Sequence, residues 1–173
     1  MSAKWTWNKC FPYPKSKREV LEGLRHYDVV DGLLPSVTTI LSDTKSEEKQ
    51  RKLAEWRERV GQDEATRITD QSGQRGTIMH NYLEGYLKGQ NRLDLSPVGV
   101  VAGGMATKVM EDGVFDKLTE IWGSEVVVFY PGLYAGQTDV VGIYEGEQSI
   151  VDFKQSNKPK KREWIDEYFM QSA

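Results

Sequence analysis

Apolar residues fall into two different rhythms along the chain. Up to about residue 122 the spacing is helical, and beyond it the spacing is that of strands. Leu53, Trp56 and Val60 form one stripe in a segment that opens at Thr44-Lys45-Ser46-Glu47, a capping-box pattern, and closes at Gly61. A helix is expected there, followed by a short one over 63–70 and a longer one over 77–88. In the longer one Ile78, Met79, Tyr82, Leu83, Tyr86 and Leu87 cover half of the cylinder, with His80 and Glu84 one turn apart at its edge. Ser96-Pro97 reads as N-cap and first residue of a further helix running to about Trp122, its start weakened by Gly99, Gly103 and Gly104.

From Ser124 the rhythm changes. Residues 124–130, 133–141 and 148–154 read as strands joined by tight turns at Pro131-Gly132 and Glu145-Gly146, which predicts an antiparallel meander. A last helix should begin near Lys160. The stretch before residue 45 is read as an irregular extension: aromatic, basic and broken by Pro12 and Pro14, with an extended piece near 27–30 and the β-branched run SVTTIL after Pro35. Helices followed by strands give an α+β chain. At 173 residues it is expected to form one domain, irregular over residues 1–45, helical over 46–122 and built of strands with a last helix over 123–173.

Composition narrows the class. No apolar run is long enough to span a bilayer, no secretory core follows the N-terminus, and one cysteine, Cys10, cannot close an internal disulfide. The expectation is a protein of a reducing cytoplasm, neither secreted nor membrane-bound. The net charge of −3 argues against general nucleic-acid coating, but the charge is uneven. No acidic residue occurs from Met1 to Arg18, and Lys154, Lys158, Lys160, Lys161 and Arg162 crowd together near the end. Basic clusters around an acidic middle suit a site that collects divalent metal and grips phosphate.

The chemistry-bearing residues lie on the strands. Asp139 is expected near the end of the second strand, and Asp152 and Lys154 at the end of the third, on one face with Phe153 turned inward. Neighbouring strands would bring the two aspartates together, and a hard cation, Mg²⁺ or Mn²⁺, would relieve their repulsion. Lys154 could then assist an attacking water or stabilise phosphoryl charge. The pair alone is weak evidence, since Asp43/Lys45 and Glu47/Lys49 have the same spacing. It gains weight from ending the apolar strand SIVDFK after another strand-borne aspartate. His80 is a candidate metal ligand or an edge-of-core histidine, Glu84 could orient it, and Glu125 could be an accessory carboxylate. Lys158, Lys161, Trp164 and Gln171 are candidates for gripping phosphate or stacking a base.

The ordered series RGTIMH, SEVVVF, YAGQTDVVG, SIVDFK and EYFMQSA resembles the motif series of RecB-like PD-(D/E)XK nucleases. Upstream, YDVVDGLLPSVTTILSDTK and AEWRERVGQDEATRI look like phage exonucleases related to the mitochondrial genome maintenance exonuclease. The resemblance implies a restriction-endonuclease-like core, a central mixed sheet of three or more strands flanked by helices, with an N-terminal helical extension. It implies metal ligands at His80, Asp139 and Asp152, a catalytic lysine at Lys154, and a last motif at Gln171. It also implies Mg²⁺-dependent hydrolysis of DNA, chiefly at single-stranded ends. The family's glutamine helix usually continues, whereas this chain ends two residues after Gln171. That predicts a truncated or split nuclease completed by a missing segment or second chain, with a non-catalytic DNA-binding module as the alternative.

Overall fold

The computed structural model describes residues 5–156, 160–162 and 165–172. They form two compact units, one from the described residues up to 44 together with those from 116 onward, and the other from 45–115.

The first unit holds both sheets. A four-stranded sheet runs in the order β1 (Thr6–Trp7), β5 (Leu118–Tyr130), β6 (Tyr134–Tyr144), β7 (Glu147–Val151). β1 joins β5 in parallel, and the other pairs are antiparallel, so the sheet is mixed. The meander stands as expected, with turns at Gly132 and Gly146 that both take positive φ. Its first strand starts at Leu118, well before residue 124: Gly113, at φ 76°, ends the preceding helical path, and a short 3₁₀ turn (Val114–Lys117) leads into the strand. β2 (Lys17–Leu21), β3 (Leu24–Val29) and β4 (Gly32–Pro35) form a second, antiparallel sheet, where the sequence pattern predicts an irregular extension. Tyr27, Val29 and Leu34 of that sheet meet Ala135 of β6, with Val127 and Phe129 around them. The run after Pro35 is helical, α1 (Val37–Asp43), because the hydroxyl of Ser36 caps it by accepting from the Thr39 amide at 3.0 Å. α1 lies against β6, and α5 (Asp166–Ser172) lies against α1. The architecture is thus the expected mixed sheet flanked by helices, compatible with an α+β nuclease-like core.

The second unit is helical. α2 (Glu47–Val60) is capped by Ser46 rather than Thr44, accepting from the Lys49 amide, and ends at Gly61 as expected. None of its residues is fully buried, so its apolar stripe is only half covered. The two helices expected over 63–88 are one, α3 (Gln62–Leu87), running through Gly73 and Gly76. Each interior glycine costs about 1 kcal/mol relative to alanine. Complete burial of Met79, Leu83 and Leu87, worth roughly 1.5–3 kcal/mol per side chain, outweighs it. α4 (Pro97–Glu111) has Ser96 as its cap and Pro97 at its first position. Ala102 and Ala106 are buried, and the small residues let α3 and α4 approach closely. Gly99 sits there by necessity: a Cβ would fall 2.4 Å from the Asp94 carboxyl.

Candidate metal centre and the acidic row across the sheet

Two carboxylates face each other across the four-stranded sheet, and the register carried one step past β7 brings a third into line. Ser124 pairs with Val140 and Val126 with Thr138, so Glu125 of β5 faces Asp139 of β6. Continued one step past the Val140–Val151 pair, the β6–β7 register sets Asp139 opposite Asp152. Directly opposed residues on antiparallel strands project to the same side. Asp139 is therefore the middle member, and it lies within β6 rather than at its end. Asp152 and Lys154 come just after β7, which stops at Val151.

The middle carboxylate is buried, 7 % exposed. A carboxylate oxygen of Asp139 and one of Glu125 lie within 4.8 Å of each other. Asp139 Oδ2 also accepts a hydrogen bond from the Phe153 amide at 2.5 Å, which fastens the segment after β7 to the centre of the sheet. Phe153 itself is buried, so Asp152 and Lys154 are turned the other way, as the alternation predicts. Lys154 Nζ is 2.5 Å from Asp152 Oδ2 and 5.8 Å from the centroid of the Tyr168 ring on α5. Gln171, half-buried, lies three residues on from Tyr168, on the same side of that helix.

Glu125 owes its place to a distorted strand. The β5–β6 register shifts twice, between Leu118 and Glu120 and between Ile121 and Gly123. Without those two shifts Gly123 would face Asp139. Gly142 permits the first irregularity, since a Cβ there would lie 2.0 Å from the Glu120 carbonyl oxygen. Glu125 itself has φ 53°, a left-handed conformation that costs a non-glycine residue about 1–3 kcal/mol. Gln137, two positions before Asp139 on the same face, donates from Nε2 to Glu125 Oε2 at 2.7 Å and to the Glu125 carbonyl at 3.4 Å. Gln137 carries no titratable group to mark it in the sequence, although period-two alternation with Asp139 points to it. Tyr168 reads in the sequence only as one member of an apolar face.

The donor set suits a hard divalent cation: oxygen ligands on neighbouring strands, close enough to share one ion and repelling each other without it. His80 and Glu84 belong to the helical unit. His80 is half-buried on α3. Glu84 binds Lys88 Nζ at 2.5 Å and Arg92 at 3.3 Å, which ties the end of α3 to the following loop. Lys161 is exposed, and Lys158 and Trp164 lie outside the described residues. No helix among the described residues is long and apolar enough to cross a membrane.

No family model matches the chain. Among curated proteins it is similar to mitochondrial genome maintenance exonuclease 1 of Homo sapiens, 27% identical over 133 residues, or 74% of this chain and 38% of that protein. The Mus musculus protein of the same name is 31% identical over 135 residues, covering 73% of this chain and 38% of its own length. The chain thus spans well under half the length of the relatives it matches. The likeness is distant, and it relates the chain to nucleases.

Proposed function

We propose that this chain is a divalent-metal-dependent nuclease of the PD-(D/E)XK class, akin to the phage exonucleases, that hydrolyses phosphodiester bonds at the ends of single-stranded DNA. The observation that carries this reading is the row Glu125, Asp139, Asp152 with the Lys154 ammonium beside it. Its support from outside the structure is the similarity to proteins named as exonucleases.

In this reading Asp139 and Asp152 hold the cation with His80, and Glu125 is the accessory carboxylate. A bound Mg²⁺ or Mn²⁺ would supply charge to a phosphoryl oxygen and acidity to a water. The other tasks belong to the chain. Asp139, fixed through the Phe153 amide, keeps the residue 152 carboxylate and the Lys154 amine at the same place on the sheet. Lys154 is held by Asp152 and by the Tyr168 ring, and reaches outward as a cation against phosphoryl charge or as a proton carrier for the water. Gln171 and the basic residues Lys158 and Lys161, with Trp164 as a base-stacking group, would bind the strand itself. We place this work in a reducing, cytoplasm-like compartment, where an exposed lone thiol such as Cys10 persists.

The test is cleavage of end-labelled single-stranded and duplex DNA by the purified chain, with Mg²⁺ and then with EDTA. Cleavage of single strands that stops on chelation is the expected result. Folded protein that binds DNA but never cuts it, with any divalent ion, would leave only a binding module. That alternative draws on the chain's short coverage of its relatives.

A further inference from the structure

We propose that Gln137 is a positioning residue for the metal centre: its amide clamps Glu125 in a left-handed conformation and so aims that carboxylate at Asp139. The proposal rests on the metal-nuclease reading above. Three observations carry it. Glu125 is one of few non-glycine residues with positive φ among those described, and the other two, Glu22 and Glu145, lie in tight turns. A strand interior offers no such turn, so the conformation at position 125 needs another anchor. Gln137 Nε2 provides one at both ends of the residue, through Oε2 at 2.7 Å and the main-chain carbonyl at 3.4 Å. The clamped carboxylate is the one whose oxygen lies within 4.8 Å of an Asp139 oxygen. An amide is the chemically apt group, since its NH₂ donates to a carboxylate while the side chain remains neutral and adds no charge to the site.

Titration of the full chain with Mn²⁺, followed by electron paramagnetic resonance, tests this without reference to catalysis. Gln137→Met keeps the length of the side chain and deletes the donor. It should weaken Mn²⁺ binding about 10–100-fold, the usual loss when a supporting hydrogen bond to a ligand is removed. Its melting temperature without metal should match the parent's. Thr138→Val is the same-strand control: its hydroxyl is buried with no hydrogen-bond partner among the described residues, so the valine should bind Mn²⁺ as the parent does. Parent-like binding by Gln137→Met would overturn the positioning role. So would equal weakening in Thr138→Val, which would make the effect one of strand packing. Should Gln137→Met fail to fold, Gln137→Asn, one methylene too short to reach, takes its place with the same expected loss. Absence of Mn²⁺ binding in the parent itself would strike the underlying metal-nuclease reading, and is told apart by that parent measurement.

Discussion

In the helical unit, acidic residues meet their counter-charges within a turn or so of the same chain: Glu48 with Lys52, Glu55 with Arg51, Glu64 with Arg67, Glu84 with Lys88. In the sheet unit, Glu125 and the buried Asp139 face each other across neighbouring strands, and Asp152, paired with Lys154, follows where the β6–β7 register is continued. The first arrangement is local, mostly solvated and of small energetic consequence. The second is non-local and unfavourable for folding unless something other than the fold rewards it. Under the proposed metal-nuclease reading, a sheet that places carboxylates opposite each other, and distorts a strand to do so, would be rewarded by the cation they hold. The contrast is between charges paired along one helix and charges opposed across a sheet.

The sharpest way to break the contrast is to neutralise the middle of the acidic row. Asp139→Asn keeps an oxygen to accept the Phe153 amide and removes the negative charge. DNA cleavage should fall by about a thousandfold or more, as expected when several kcal/mol of cation-assisted stabilisation disappear. Far-ultraviolet circular dichroism should stay unchanged. Near-parental cleavage in that variant would deny the row any chemical role.

Lys154→Ala comes next. A positioned cation is worth roughly a hundredfold to a thousandfold in turnover. Its removal should change stability by only about 0.5 kcal/mol, because the ammonium and its Asp152 partner both keep part of their surface in water. Turnover and urea melts of the same preparation decide the matter. A large loss of stability with little loss of rate would make Lys154 a structural member of the sheet edge. His80→Ala follows, with a weakening of Mg²⁺ dependence on the order of 10–100-fold in half-saturating concentration. An identical Mg²⁺ titration would return His80 to the ordinary polar residues at the edge of a core helix.

The two kinds of charge also differ in how far the sequence discloses them. The pairs on α2 and α3 are readable from i,i+3 and i,i+4 spacing, since the helix alone brings them together. Asp152 and Lys154 are readable too, being two apart on an extended segment, and the tight turn at Gly146 makes β6 and β7 neighbours. The facing of Glu125 and Asp139 is not readable in that way. It depends on two register shifts in β5, and the first of those depends on the close approach of the Gly142 backbone to the Glu120 carbonyl. Only the packed sheet contains that information. The same holds for the three-stranded sheet over residues 17–35. Its strands leave Val20, Leu21, Leu24 and Leu33 substantially exposed, so the alternation that marks a half-buried strand is blurred. The continuity of α3 through Gly73 and Gly76 reverses a local preference by tertiary burial farther along the helix.

The smallest expected effect is the most discriminating for the comparison itself. Glu48 is fully solvated, and its carboxyl is held below the usual range first by the hydrogen bond from Lys52 and then by that ammonium's charge. A carboxyl lowered on folding contributes stability above its unfolded value and loses the contribution as pH falls through the folded one. The contribution is therefore present at neutral pH, yet water and salt screen it heavily at such a site. Glu48→Gln should leave the melting temperature at pH 7 within about 2 °C of the parent. It should also leave Mg²⁺-dependent cleavage untouched. Glu125→Gln changes one carboxylate in the same way but at the row, where it removes repulsion and a prospective ligand together. Without metal it should melt no lower than the parent, and added Mn²⁺ should raise its melting temperature less than it raises the parent's. If the two glutamate variants behaved alike in both respects, the acidic row would be surface charge of the same kind as the helical pairs, whatever its geometry.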